Sequence, residues 1–265
     1  MTKPNPILRL TGLSKNYQGV QALKQVSFDV RQGSITSLIG PNGSGKSTLI
    51  DCISGFQQAS AGRWFLAGHE ISQAPPWEIV TSGMRRTFQT VRLYAEMSVR
   101  DNLLVALQGR GMRPWSRNLG QGAHWRRFQA DAHQQIDDIA GIVKLTHILD
   151  LPGGAISYGQ QKLVALAAAL VGEPGLIVLD EPLAGVNPTL CREIGDLLQT
   201  FQARGYTFLL VEHNMDFVMR LSDTVIVLDQ GQLLTQGPPA EVQQDPRVLE
   251  AYIGVPATPR QEALA

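Results

Sequence analysis

Gly40-Pro41-Asn42-Gly43-Ser44-Gly45-Lys46-Ser47 is the stretch whose reading decides the fold. Two glycines separated by four residues and followed by Lys and Ser form a phosphate-cradling pattern. Gly43 and Gly45 reach backbone angles closed to other residues, which lets successive amides turn inward around an anion. An apolar run (Ile35, Leu38, Ile39) precedes the loop, and Thr48-Leu49-Ile50 follows as the first turn of a helix. That order sets a helix N-terminus, with its partial positive charge, against a phosphate. In such a loop Lys46 reaches the β/γ-phosphates and the Ser47 hydroxyl takes a Mg²⁺ position. The stretch implies that a nucleoside triphosphate is bound.

The 265 residues suffice for one large domain, or one domain carrying an inserted subdomain. A formal net charge of zero gives no global reason to expect nucleic acid or an acidic partner. Cys52 and Cys191 are far apart and match no metal spacing, so both are expected to be buried thiols in a reducing compartment. Met1 to Leu10 lacks the apolar core of a signal peptide. The longest apolar run, Leu163 to Val171, is about half of what a membrane span requires. A soluble, cytoplasmic chain is expected, one still able to sit against a membrane protein.

Before the loop, Ile7–Leu10 and Val26–Val30 read as short strands, with Leu13–Tyr17 and a Gly19 turn between them. This predicts an antiparallel N-terminal layer beside a parallel nucleotide-binding core. Tyr17 is either an adenine-stacking aromatic or a core or edge tyrosine. After the loop, Gly62–Gly68 reads as a strand ending in a turn, and Met84–Thr90 as an extended segment with Gln89 near its end. Val99 to Leu107 has helical periodicity. From Gln108 to Gln129 the composition changes to five arginines (Arg110, Arg113, Arg117, Arg126, Arg127) with Trp115 and Trp125. A loop passing into a helix is expected there. It is either a solvated insertion pinned by its tryptophans or a surface for anionic headgroups, a membrane partner or nucleic acid.

The second half carries carboxylate chemistry. Ser157 is expected at the N-cap of a long Ala/Leu helix, where its hydroxyl and the amides near Gly159 and Gln160 offer a second anion site. Leu176-Ile177-Val178-Leu179-Asp180-Glu181 is an apolar run ending in two carboxylates. An all-apolar strand is buried on both faces, and ligands bind at the C-terminal ends of such strands. Asp180 is expected to hold Mg²⁺, directly or through water, and Glu181 to orient or deprotonate the attacking water. A helix runs from Pro188 to about Ala203, a strand from Tyr206 to Val211 ends at Glu212-His213, and a hairpin turns around Asp229-Gln230-Gly231. A Pro238-led helix follows, then a tail from Val255 expected to be disordered.

Taken together, these residues resemble the ATP-binding subunit of an ABC transporter, from about Leu8 to Gly254 and with the motifs in family order. Gly40–Ser47 resembles Walker A, Leu176–Asp180 Walker B, Gln89 the Q-loop, Ile156–Gln160 the signature motif, Ala184–Asn187 the D-loop and His213 the switch histidine. The resemblance implies an α/β P-loop NTPase cassette over 1–254, with a mostly parallel core sheet, an antiparallel N-terminal layer and an inserted helical subdomain over about 90–172. It implies ATP and Mg²⁺ as cofactors. Tyr17, Gly40 to Thr48 (Pro41, Asn42, Gly43, Ser44, Gly45, Lys46 and Ser47 included), Ser157, Gly159 and Gln160 would contact nucleotide. Ser47, Gln89 and Asp180 would serve the metal, and Glu181, His213 and Gln89 hydrolysis. The implied partners are transmembrane permease subunits, a second cassette in a head-to-tail dimer and, indirectly, a solute-binding protein. The implied place is the cytoplasmic face of the inner membrane, with no nucleic acid expected.

Phe88–Leu93, Ser157–Gln161, Glu212–Met215, Asp245–Val248 and Glu250–Gly254 are similar to the branched-chain amino acid importer ATPases, as is the insertion after Leu107. Urea and amide importers carry closely similar subunits. A soluble ABC ATPase acting on DNA or ribosomes would carry a long coiled-coil insert or two cassettes, and a regulatory cassette would lack Glu181 or Lys46. Three departures stand out: Tyr158 where Gly is commonest, Leu163 and Ala168 where arginines are usual, and Asn187 in place of Asp.

Overall fold

The structure is a computed structural model that describes residues 6–111 and 122–253. The side chains of 108–128, which include the five insertion arginines, and the tail over 255–265 lie outside the described residues. In chain order the first elements are β1 (Pro6–Tyr17), β2 (Val20–Arg31), β3 (Ile35–Ile39), α1 (Lys46–Ile53), β4 (Ala61–Leu66), β5 (His69–Glu70), α2 (Pro76–Thr81), β6 (Met84–Arg86), α3 (Val99–Gly111) and α4 (Gly122–Ile142). Then come α5 (Tyr158–Leu170), β7 (Leu176–Asp180), α6 (Pro188–Ala203), β8 (Phe208–Val211), α7 (Met215–Leu221), β9 (Thr224–Asp229), β10 (Gln232–Gly237), α8 (Pro239–Gln243) and α9 (Pro246–Ile253). The chain divides into two compact units, Met1–Gln73 with Leu209–Ala265, and Ala74–Phe208.

In the first unit β1 and β2 form an antiparallel hairpin within a sheet of order β2-β1-β4-β5. Val26, Phe28 and Val30 are buried while Ser27, Asp29 and Arg31 are exposed, the alternation of a sheet with one covered face. Both strands are longer than the sequence suggests. They continue through Leu13–Tyr17 to a two-residue turn at Gln18-Gly19, both at positive φ, which matches the twist of the flanking strands. The other strands of this unit run β10-β9-β3-β8. β3 lies parallel to β9, from Thr36↔Thr224 to Ile39↔Val227, and is buried along its whole length. Ile39, Val218, Val225, Val227, Val242 and Val248 form one core cluster, so α7, α8 and α9 pack against these strands. Each such burial contributes about 1.5–3 kcal/mol. The single C-terminal helix expected after Pro238 is two, because Pro246 has no amide to continue α8 and instead opens α9.

In the second unit β6 lies parallel to β7, with Met84 opposite Leu176 and Arg86 opposite Val178. β7 is buried from Leu176 to Leu179 and only half-buried at Asp180. The Ile177 amide donates to the Thr207 carbonyl at 2.9 Å, immediately before β8. The helices bury period-matched faces: Val99, Leu103 and Leu107 on α3, Ala132, Ile136 and Ala140 on α4, Ile194, Leu198 and Phe201 on α6. The buried Asn102 amide ties down the segment before α3, donating to the carbonyls of Tyr94 (3.1 Å) and Ser98 (2.9 Å). Helix α2, opened by Pro76, has no counterpart in the sequence reading. Cys52 is buried as expected, but Cys191 on α6 is half-buried. No helix among the described residues is long and apolar enough to cross a membrane.

Candidate functional site

In the first unit the phosphate loop joins the buried strand β3 to α1. Gly43 and Gly45 have φ of 81° and 103°, the left-handed region that only glycine enters without strain. Gly45 is constrained twice, since a Cβ there would lie 2.8 Å from both the Ala22 carbonyl oxygen and Leu23 Cδ2. No side chain caps α1, so its first-turn amides and the positive end of its dipole are left for an anion. Lys46 Nζ donates to the carbonyls of Gly40 (2.8 Å) and Pro41 (2.9 Å), which holds the ammonium inside its own loop. The loop is braced from the β9–β10 turn, where the Gly231 amide donates to the Ser44 carbonyl at 3.0 Å. Ser47 is exposed, Thr48 half-buried and Asn42 exposed.

Tyr17, at the end of β1, is 41% exposed, and its ring faces Lys15 Nζ at 4.7 Å from the centroid. The ring is therefore no core residue. His213 follows β8 with its side chain 69% exposed and Nδ1 3.9 Å from Glu212 Oε2. That Glu212 oxygen, on a buried side chain, also accepts from the His213 amide at 3.1 Å. Tyr252 of α9 meets the Gly40 backbone; burial pushes its phenol above the usual range, and the Gly40 hydrogen bond opposes this.

In the second unit the two carboxylates at the end of β7 are each engaged by one short segment. Arg86 Nη2 donates to Asp180 Oδ2 at 2.8 Å, and Gln89 Nε2 donates to Glu181 Oε2 at 2.7 Å. Glu181 itself has φ 47°, a left-handed conformation that turns the chain sharply off the strand. Asp180 Oδ1 and the Gln89 amide oxygen have no protein partner among the described residues. Hydroxyl, carboxylate and amide oxygens are the hard donors Mg²⁺ prefers. The described residues contain no cluster of three His, Cys, Asp or Glu.

The helix α5 begins with a capping box. Ser157 Oγ accepts from the Gln160 amide (3.3 Å) and donates to Gln160 Oε1 (3.0 Å), which also accepts from the Ser157 amide (2.9 Å). The hydroxyl expected to meet an anion is thus occupied by Gln160 in this state. Two residues outside the predicted set knit this helix start to its neighbours. Tyr158 Oη donates to the Ala184 carbonyl at 3.4 Å, and a Cβ on Gly185 would lie 3.2 Å from its ring. Lys162, buried, donates to the Gln89 carbonyl at 3.0 Å with its Nζ 5.7 Å from the Tyr158 ring. Tyr158 was legible as a departure from glycine; Lys162 and Arg86 carry no signal without coordinates. Asn187 caps α6 by accepting from the Leu190 amide at 2.9 Å, a role that needs no charge.

A family profile described as "ABC transporter" matches residues 23–184, more than half of the chain. The chain belongs to the ABC transporter ATP-binding family. A second profile, "Branched-chain amino acid ATP-binding cassette transporter", matches residues 232–258 of the cassette. The probable branched-chain amino acid transport ATP-binding protein LivG of Archaeoglobus fulgidus is 37% identical over 248 residues, 94% of this chain and 95% of its own length. The high-affinity branched-chain amino acid transport ATP-binding protein LivG of Escherichia coli is 34% identical over 250 residues, 94% and 98% of the two chains. Among solved structures, a nucleotide-free ATP-binding cassette of an ABC transporter superposes with a TM-score of 0.81 at 37% identity, covering 95% of this chain and 100% of that one. An ABC transporter cassette in its ADP conformation gives 0.81 at 36% identity, with the same coverage. The α/β cassette fold expected from the sequence is the one observed, and the chain is an ABC-type ATPase.

Proposed function

We propose that the cassette hydrolyses ATP to drive an importer of branched-chain amino acids, working on the cytoplasmic face of the inner membrane against permease subunits. The relatives named for that transport, aligned over nearly the whole cassette, are what carries the substrate class. Hydrolysis here is positioning and charge stabilisation. Lys46 and the amides of Asn42–Thr48 hold the phosphates, and Tyr17 stacks on the adenine. The Ser47 hydroxyl, Asp180 and Gln89 would hold Mg²⁺, which would neutralise charge on the β/γ-phosphates. Glu181 orients and deprotonates the attacking water, and His213 reaches the γ-phosphate.

Ser157, Gly159 and Gln160 of a second cassette, identical or paralogous, complete each site, so ATP joins the pair head to tail. The capping box supports this order of events: the Ser157 hydroxyl rests on Gln160 until a phosphate offers it a stronger, charged acceptor. The test is reconstitution in liposomes with the co-purifying permease and solute-binding protein. ATP hydrolysis is expected to rise with leucine, isoleucine or valine. Stimulation by urea or short amides instead would sink the substrate assignment while leaving the ATPase role intact.

A further inference from the structure

We propose that Arg86 is a positioning residue for the metal-binding carboxylate: its guanidinium fixes Asp180 through one oxygen and leaves the other open to serve as a metal donor. The proposal rests on the reading of Asp180 as a metal donor. Its observation is the juxtaposition at the end of β7. Arg86 stands opposite Val178 in the parallel ladder, and paired residues in parallel strands project to the same face. Asp180 is two residues beyond Val178 and so shares that face. The guanidinium reaches forward along the strand to meet it at 2.8 Å, with the two side chains only 10% and 15% exposed.

The contact is single-pronged. Nη2 meets Oδ2, and Oδ1 has no partner among the described residues. A bidentate grip would have closed both carboxylate oxygens; this one orients the group without sealing it. The segment that bears Arg86 is itself locked to β7. The Thr87 amide donates to the Val178 carbonyl at 2.9 Å, and the Asp180 amide donates to Thr87 Oγ1 at 3.3 Å. The guanidinium carbon also lies 5.1 Å from the centre of the Phe88 ring, a cation–π contact that restrains its plane. Three residues on, Gln89 holds Glu181. One segment therefore sets the direction of two consecutive carboxylates, Arg86 by charge and planarity and Gln89 by a single amide. Groups standing behind a metal donor, fixing its orientation, typically change metal affinity ten- to a hundredfold when removed.

The test uses the purified cassette with Mn²⁺ in place of Mg²⁺, read by electron paramagnetic resonance in the presence of ATPγS, together with ATPγS binding in EDTA. In Arg86→Met, Mn²⁺ affinity is expected to fall about tenfold, with metal-free nucleotide affinity within about twofold of wild type. Arg86→Lys keeps the charge but not the planar fork, and is expected to fall between the two. If Arg86→Met fails to fold by circular dichroism, Arg86→Lys decides alone, and wild-type Mn²⁺ affinity there overturns the proposal. Unchanged or tighter Mn²⁺ binding in Arg86→Met also overturns it, as does an equal loss of metal-free nucleotide binding. Asp180→Asn separates the two readings. If it leaves Mn²⁺ affinity unchanged, Asp180 is no metal donor and both fail; if it weakens Mn²⁺ while Arg86→Met does not, only the role of Arg86 fails.

Discussion

Glu181→Gln removes a base and almost nothing else. The amide is isosteric with the carboxylate, and its oxygen can still accept from Gln89 Nε2, now 2.7 Å from Glu181 Oε2. The left-handed backbone at φ 47° costs a non-glycine residue about 1–2 kcal/mol, but that cost is common to Glu and Gln and cancels. The Gln89 contact passes from a charged to a neutral acceptor. For a solvent-exposed hydrogen bond the loss is at most about 1 kcal/mol, so Tm should drop by no more than about 4 °C. A positioned general base contributes about 10²–10⁴-fold, or about 2.7–5.5 kcal/mol of barrier. Phosphate release at saturating Mg²⁺ and ATP is therefore expected to slow at least a hundredfold, while fluorescent-nucleotide titration returns wild-type affinity. Size-exclusion chromatography should then show an ATP-dependent dimer that persists. Turnover within about threefold of wild type would refute the role assigned to Glu181. Loss of binding in step with loss of rate would mean that the side chain supports the site rather than the water.

Gly45→Ala forces a Cβ to 2.8 Å from the Ala22 carbonyl at φ 103°; strain of about 1–3 kcal/mol predicts about ten- to a hundredfold weaker ATP binding by fluorescence titration, and unchanged affinity would contradict it. Asn187→Ala removes the α6 cap and is expected to cost about 1 kcal/mol, a fall of about 2–4 °C in Tm by calorimetry; an unshifted Tm would show that the cap is not what orders Ala184–Asn187. Burial pushes the Cys52 thiol up to about 11, Lys15 opposing and Asp51 reinforcing the shift, so at pH 8 a disulfide reagent is expected to label only the half-buried Cys191 in native protein. Fast labelling of both thiols would sink this. Hydrogen bonding from Arg247 holds the Asp245 carboxyl down at about 2. Its contribution to stability is present above the ordinary carboxylate range and lost as pH falls through about 2; an NMR midpoint near 4 would contradict it.

The parts of the fold that were legible from sequence are those where local pattern and tertiary context agree. β3 and β7 are apolar runs because both faces are covered, and α6 announces both its ends, Asn187 and Pro188 at the start and Arg204-Gly205 past the finish. The length of the β1–β2 hairpin was not legible, because Leu13–Tyr17 keeps its strand through irregular pairing and two positive-φ residues that no periodicity reveals. Nor was the break at Pro246, where the apolar pattern suggests continuation and only the missing amide interrupts it.

The candidate site divides along a similar line. Gly40–Ser47 and Asp180–Glu181 are legible because phosphate and carboxylate chemistry dictate residue type at fixed spacing. Tyr17, Gln89 and His213 carry little alone, since any one of them is compatible with a structural role. What no pattern predicts is that the resting residues satisfy one another: Lys46 on the carbonyls of its own loop, Ser157 on Gln160, Glu181 on Gln89, Asp180 on Arg86. Polar groups partly withdrawn from water need partners whether or not a ligand is present. Where a phosphate takes over Lys46 or Ser157 it gains only the difference between the new contact and the one it displaces, whereas the two carboxylate contacts both start from one segment, Arg86 to Gln89. A shift of that segment would alter both carboxylates together, which gives a partner protein a route to the chemistry without touching either of them. Cross-linking the segment to β7 through cysteines at Thr87 and Leu179, which line the same cavity, in a Cys52→Ala, Cys191→Ala background, is expected to leave nucleotide binding intact and to abolish permease-stimulated hydrolysis. Retained stimulation would mean that the coupling runs elsewhere.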